Sequence, residues 1–316
     1  MKKTARRAMI STICMLVVGV MSLTGVTYAW FSQGTQAQVE EFTVNVQTAS
    51  GNLMIGQASG TSISWGNTIT PFNASNPAGT LAPASTIGTT TDGAIAFYSA
   101  SINEANAAQI KNVVAVGEST QVGDQTFKNY VKFNFYIDNS TNSEALPVYL
   151  DATSGVTGSD KSELAARFAF VAQGTFKPTT GAAVTTSNFA LNGNSAIIFE
   201  PNYNEHTTNG AVYQAGTTLG NTDGGAYVYH GIKAAGATAD TTYGRYTDET
   251  VLAAVNTKLI GDTNAIVTVP ANSYQMVTVY IWLEGQDADC LNDVAGAAFN
   301  VNLKLTLTQP GSEESN

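Results

Sequence analysis

The sequence predicts an all-β protein: an antiparallel β-sandwich of jelly-roll type with loop-rich insertions and one or two short helices. Apolar and polar residues alternate along many short stretches, which is the pattern of a strand with one buried and one solvated face. Clusters of Gly, Asn, Asp, Thr and Ser separate these stretches and favour turns. Of the 316 residues, 43% are hydrophobic and 12% are charged, so the chain can bury a sizeable core.

The clearest alternation lies at residues 299–307, where five large apolar residues occupy the odd positions and polar residues stand between them. Residues 131–138 and 277–283 show the same period of two. We therefore expect each of these strands to have one buried face and one wet face. Shorter stretches of the same kind lie at 42–48, 52–57, 94–99, 112–116, 147–150, 166–171, 226–232 and 265–269.

Helix is predicted at only two places. Asp248-Glu249-Thr250 precedes the run Val251–Ile260, which ends at Gly261, and these are start and stop signals of a helix. Apolar residues in this run also fit one helical face. A second short helical turn is predicted for Glu104–Ile110.

The first 29 residues are predicted to be a secretory signal peptide. Four basic residues among the first seven precede an apolar run at 8–23, and Thr27-Tyr28-Ala29 provides a small-residue exit. We expect cleavage between Ala29 and Trp30, so that the chain contacts the membrane only before cleavage. The alternative is a retained anchor, because residues 8–31 could just span a bilayer.

The mature chain is predicted to have three parts. Residues 30–48 form an N-terminal segment that ends in a strand, and residues 49–309 form the sandwich. Loop-rich insertions are expected at about 58–92 and 179–246, and residues 310–316 form a polar, acidic tail. Cleavage would leave Cys290 as the remaining cysteine, so core burial and strand pairing must replace disulfides.

Composition argues against nucleic-acid binding and against catalysis. The formal net charge of −10 would repel a phosphate backbone. The two histidines, His206 and His230, do not form a His-Glu-x-x-His motif, and the sequence lacks both Gly-x-Ser-x-Gly and a phosphate-binding Gly-x-x-x-x-Gly-Lys loop. Two aspartates near Cys290 raise the expected pKa of its thiol. The protein is therefore not expected to be an enzyme.

The junction Gly25–Ser32 (Gly-Val-Thr-Tyr-Ala-Trp-Phe-Ser), followed by Phe42-Thr43-Val44, resembles the signal-peptide region of the TasA/camelysin group. That resemblance implies processing by a SipW-type signal peptidase and a secreted β-sandwich subunit of extracellular matrix fibres. The segment Val279–Asp293 is similar to secreted proteins of clostridial-type bacteria that carry the same junction. The implied location is the extracellular matrix or cell surface of a Gram-positive bacterium of this type.

The resemblance also implies a mechanism of assembly. In such fibres, cleavage frees an N-terminal segment that pairs into the sheet of the next subunit, since an unpaired sheet edge offers free N–H and C=O groups. The implied partners are copies of the chain itself or a related fibre subunit. The residues expected to carry assembly are Trp30, Phe31, Phe42, Val44 and Val46. The alternative is that residues 42–48 are simply the first strand of their own domain.

A group of acidic residues at 284–293 is a candidate calcium site. Glu284, Asp287, Asp289 and Asp293 could ligate calcium, although their spacing does not match the twelve-residue calcium loop, and a solvated acidic turn is the alternative. No other cofactor is expected.

The competing function is a cell-surface adhesin or carbohydrate-binding module. Exposed aromatic rings can stack on sugar faces, although tyrosine is also a common residue of half-buried strands. The candidate ligand-binding residues are Tyr203, Tyr213, Tyr227, Tyr229, Tyr243 and Tyr246.

Overall fold

The computed structural model describes most of the chain between residues 42 and 310. The described residues are 42–48, 53–72, 81–103, 106–122, 125–158, 162–179, 182–200, 222–223, 226–232, 242–244, 252–258, 264–285, 290 and 299–310. The predicted signal peptide, its cleavage site and most of the acidic tail lie outside them.

Strands dominate the described residues. In chain order they are β1 (Phe42–Thr48), β2 (Met54–Ser59), β3 (Ser62–Gly66), β4 (Thr68–Phe72), β5 (Thr90–Thr91), β6 (Ala94–Ile95), β7 (Phe97–Asn103), β8 (Asn106–Val116), β9 (Ser119–Val122), β10 (Gln125–Lys128), β11 (Val131–Asn139), β12 (Leu146–Leu150), β13 (Gly155–Gly158), β14 (Ala166–Phe176), β15 (Ala196–Phe199), β16 (Thr222–Asp223), β17 (Ala226–Ile232), β18 (Thr242–Gly244), β19 (Leu252–Lys258), β20 (Val267–Val269), β21 (Ser273–Leu283) and β22 (Phe299–Thr306). Helix in this part of the chain is confined to α1 (Ser162–Ala165) and a 3₁₀ turn at Thr186–Asn188.

Two large sheets contain most of these strands. The six-stranded sheet has the order β20-β12-β22-β1-β4, with β13 also paired to β22. The nine-stranded sheet has the order β16-β17-β19-β15-β14-β21-β11-β2-β3. Three small sheets, β18-β8-β7, β10-β9 and β5-β6, accompany them. Pairing within the two large sheets is antiparallel except at β1–β22 and β15–β19, which are parallel.

The main core joins the inner faces of the two large sheets. Val46 and Leu303 of the six-stranded sheet belong to the same apolar cluster as Phe168 and Val279 of the nine-stranded sheet. All four side chains are completely buried. The all-β, sandwich-like fold predicted from the sequence is confirmed, and the jelly-roll topology stays a prediction.

Along β21, the outer face of the nine-stranded sheet is buried as well. Thr278, Tyr280 and Trp282 of β21 were expected to face water, but each is at most 3% exposed. Residues from the 81–130 part of the chain cover Tyr280 and Trp282, and the Phe97 ring packs against both. A wet face was the wrong prediction here because alternation records only which residues share a face. It does not record whether another segment covers that face.

A buried glutamine holds two covering segments against this outer face. Gln173 of β14 donates its side-chain N–H groups to the Gly93 carbonyl at 2.7 Å and to the Thr278 hydroxyl at 3.0 Å. Its side-chain oxygen accepts from the backbone N–H groups of Asn192 at 3.0 Å and Gly193 at 2.9 Å. Gly93 has a φ of +76°, and a Cβ at this position would clash with the Gln173 amide. One side chain therefore joins the β5–β6 turn and the 190–193 loop to the sheet.

The two predicted insertions contribute differently to the fold. The segment at about 58–92 includes β3 and β4, which belong to the two large sheets. From the segment at 179–246, Val184 and Phe189 pack on the outer face beside Tyr136 and Met276. Much of the remainder of that second segment lies outside the described residues.

Both helix predictions were wrong. The Val251–Ile260 run contains β19, which pairs antiparallel with β17 and parallel with β15. The Glu104–Ile110 run overlaps β8, which pairs with β7 and β18. Partners on both sides supply a backbone hydrogen-bonding network that outweighs a weak local helix preference, and the β-branched residues in β19 favour this outcome.

Replacing Gln173 by leucine tests the role of the buried glutamine. Gln173→Leu would leave two backbone N–H groups and one carbonyl without this partner, so we expect the free energy of unfolding to fall by about 3 kcal/mol. Urea unfolding of the mature chain measures this loss. The matched control is Gln57→Leu on β2, at a partly exposed position, which should change the same quantity by less than about 0.5 kcal/mol. Equal effects of the two substitutions would contradict the role assigned to Gln173.

Candidate functional site: the N-terminal strand and its slot

The predicted assembly strand lies inside the six-stranded sheet of its own chain. β1 spans Phe42–Thr48, as the alternation predicted, and it pairs with β22 on one side and with β4 on the other. β1 fills the space between β22 and β4, and we call this space the β1 slot. In the single chain, therefore, the strand pairs in cis.

The β22 side of the β1 slot is continuous. β1 runs parallel to β22 with seven consecutive partner pairs, from Phe42 beside Phe299 to Thr48 beside Leu305. On its other side, β22 is paired with β13 near its start and with β12 near its end. β22 is therefore held from both directions.

A turn between β12 and β13 completes the support of β22. The Ser154 hydroxyl accepts from the Lys304 N–H at 2.8 Å and donates to the Lys304 carbonyl at 3.1 Å. The Asp151 N–H donates to the same carbonyl at 2.7 Å. Lys304 is the partner of Gln47 in β1, so this turn binds the far side of the strand that forms one wall of the slot.

The carboxylate of Asp151 stabilises that turn. Its Oδ1 accepts from the Thr153 N–H at 2.8 Å and from the Thr153 hydroxyl at 2.5 Å. Burial by itself would raise the pKa of Asp151, but these two hydrogen bonds and the nearby charge of Lys304 hold it below its ordinary value of 3.8. The ionised carboxylate is therefore the form that the fold favours.

The β4 side of the slot is short and irregular. β1 and β4 share three partner pairs, and their register shifts between Val44 and Val46, where β4 carries one extra residue. The extra residue lies at Thr70-Pro71, and a proline has no N–H to donate to a neighbouring strand. Among the strands that the structure describes, β4 is also the last one of its sheet on this side. The β4 wall therefore pairs with β1 over fewer residues than the β22 wall does.

Of the assembly residues predicted from the sequence, Val46 has the clearest role. Its side chain is completely buried, and its partners Leu303 on β22 and Ile69 on β4 are buried too. Phe42 and Val44 lie on β1 at the expected positions. Trp30 and Phe31 lie outside the described residues.

Of the four residues considered for calcium, Glu284 is the one that lies within the described residues. Glu284 is 1% exposed, and its carboxylate accepts from the Trp282 indole N–H at 3.0 Å. Asp287, Asp289 and Asp293 lie outside the described residues. Within the described ranges, no group of three or more His, Cys, Asp or Glu residues is arranged to hold a metal ion. The thiol of Cys290 is buried within the main core.

The candidate sugar-binding tyrosines are divided between sheets where the structure describes them. Tyr227 and Tyr229 lie on β17 of the nine-stranded sheet, whereas Tyr243 lies on β18 of a three-stranded sheet. Tyr203, Tyr213 and Tyr246 lie outside the described residues.

Two features of the slot were missed by sequence reasoning. Ser154 lies in a polar turn, and its contact with Lys304 joins residues 150 positions apart. Pro71 could have been recognised, because a proline within a strand indicates an edge or a bulge.

No protein-family model, curated protein or solved structure matches this chain. In the parts of the chain that the structure describes, no helix is both long and apolar enough to span a membrane.

Truncating Val46 tests its packing in the slot. Val46→Ala removes buried methyl groups between two apolar neighbours, so we expect a loss of about 2 kcal/mol in the free energy of unfolding. Thr48→Ala, at a partly exposed position of the same strand, is the control and should cost less than about 1 kcal/mol. Both losses are measured by urea unfolding of the mature chain. A Val46→Ala variant as stable as the wild type would contradict burial of this side chain in cis.

The pKa of Asp151 predicts a pH-dependent contribution to stability. A carboxylate whose pKa is depressed by folding stabilises the fold above its unfolded-chain pKa, and this contribution is lost as the pH falls through the folded value. Asp151→Asn should therefore be less stable than the wild type above about pH 4, and the difference should shrink at lower pH.

Urea unfolding between about pH 3 and about pH 7 measures this dependence. Thr153→Val removes the hydroxyl donor alone and should show a smaller effect in the same direction. A stability difference that stays constant over the whole range would show that Asp151 acts by some means other than its charge.

Proposed function

We propose that this protein is a secreted structural protein of the bacterial cell surface or biofilm matrix, a fibre-forming or fibre-associated subunit that assembles by addition of its N-terminal strand. The observation that carries the proposal is the position of β1 between β22 and β4. The first described strand of the chain is an interior strand of its sheet. If β1 left, the unpaired edges of β22 and β4 would face each other, with apolar side chains buried between the sheets beneath them.

The emptied slot would bind a segment that meets two requirements. Unpaired N–H and C=O groups on both walls require an extended segment, and buried Leu303 and Ile69 require apolar side chains at alternate positions. The β1 segment of a second copy satisfies both requirements with the same contacts that it makes in cis. Exchange of an identical element between protomers therefore costs little in contact energy.

One-way exchange produces a filament rather than a closed pair. When each copy donates β1 to the next and receives one from the previous copy, the contact is heterologous and continues without closing. The signal-peptide resemblance supports this order of events, because an uncleaved leader would hold the N-terminus at the membrane. A SipW-type signal peptidase would then release the strand outside the cell.

Negative-stain microscopy of residues 30–316 beside residues 49–316 tests the proposal. We expect filaments from the first and none from the second, because the second lacks the donated strand. Filaments from both would place the contact elsewhere. Dispersed, folded monomers from both would overturn strand exchange and favour the alternative of a carbohydrate-binding surface protein.

A cross-linked variant separates loss of exchange from loss of folding. Gln47 and Lys304 are neighbours on adjacent strands, which lie about 4.8 Å apart, so Gln47→Cys combined with Lys304→Cys suits a disulfide. Oxidised, this variant should stay monomeric because β1 is fixed in cis; reduced, it should form filaments. Cys290 is buried and should not compete for the bond. Equal assembly in both states would contradict release of β1.

A further inference from the structure

We propose that the β1 slot opens at β4 and not at β22, so that the β1–β4 pairing separates first when β1 leaves or a second copy's β1 enters. The entry of a second copy rests on the proposed function, whereas the opening at β4 is a property of the single chain. The two walls of the slot pair with β1 to different extents.

The β22 wall cannot move alone. β22 is paired along β1 at every residue of that strand, and on its far side it is paired with β13 and β12. Between those two strands, Ser154 and Asp151 bind the backbone of Lys304. Displacing β22 would therefore break pairings on both of its sides.

The β4 wall is bound to β1 by fewer pairings. It shares three partner pairs with β1, and a bulge interrupts them. Pro71 reduces the number of N–H groups that β4 can offer. Asn67 is the single residue between β3 and β4, and its carbonyl accepts from the Thr48 N–H at 3.0 Å.

This geometry assigns each amide of β1 to one wall. The Thr48 N–H points to the β4 side, and successive residues of a strand direct their backbone groups to opposite sides. The amides of Val44 and Val46 therefore face β4, whereas those of Asn45 and Gln47 face β22. Opening at β4 exposes the first pair while the second pair stays hydrogen-bonded.

Residue-resolved hydrogen exchange of the monomeric mature chain, residues 30–316, tests this inference. After correction for intrinsic rates, we expect Val44 and Val46 to exchange at least about tenfold faster than Asn45 and Gln47. Equal exchange at all four amides would mean that β1 leaves both walls together and would overturn the proposal. Faster exchange at Asn45 and Gln47 would overturn it as well, by placing the opening at β22.

A proline substitution provides the second test. Pro71→Val keeps an apolar side chain at this buried position and restores a backbone N–H, so exchange at Val44 and Val46 should slow by about threefold or more. Pro147→Val on β12 is the matched control and should leave both amides unchanged. If Pro71→Val and Pro147→Val have the same effect, Pro71 does not weaken the β4 wall.

The hydrogen-exchange result and the filament result test the two proposals separately. Asymmetric exchange without filaments would support opening at β4 and count against strand exchange between copies. Filaments together with symmetric exchange would support strand exchange and overturn opening at β4.

Discussion

The parallel pairing of β1 with β22 is the interaction on which the six-stranded sheet depends. It joins the first and last described strands of the chain, so the sheet closes only when sequence-distant segments meet. β4 reaches this sheet through β1, and the core residue Val46 is positioned by the same ladder. Such long-range pairing must overcome the entropy of closing most of the chain into one loop.

The nine-stranded sheet meets a different constraint, because both of its faces are apolar along β21. One face packs on the six-stranded sheet, and the other requires a cover. The segments around Phe97 and Phe189 supply it, and Gln173 fixes the covering backbone with three hydrogen bonds. A buried amide of this kind stabilises only when its groups are satisfied, so the turn at Gly93 and the loop at Gly193 must approach closely. The outer layer thus covers this sheet, while the β1 slot lies in the other sheet of the sandwich.

Within the six-stranded sheet, β22 and β4 bind β1 unequally. β22 is paired on both sides and gives β1 a fixed register, which a copy entering in trans would have to match. β4, with its bulge at Pro71, closes the slot with fewer contacts. This difference in pairing is consistent with the proposed exchange of β1, which requires the strand to be held in the single chain and yet released from one wall.

The sequence by itself determined where most strands lie, because period-two alternation depends only on which residues share a face. It predicted β1 and β17 at their observed bounds. In β22, Val301, Leu303 and Leu305 are buried as the pattern predicted, whereas Thr306, expected to face water, is buried too. The helix predicted at β19 was wrong, because strand partners on both sides outweigh the helical pattern of apolar residues there. Only the tertiary structure decided that Trp282 is covered, that Ser154 binds Lys304, and that β1 is flanked by β22 and β4. Each of these depends on which distant segments meet, and local chemistry does not record that information.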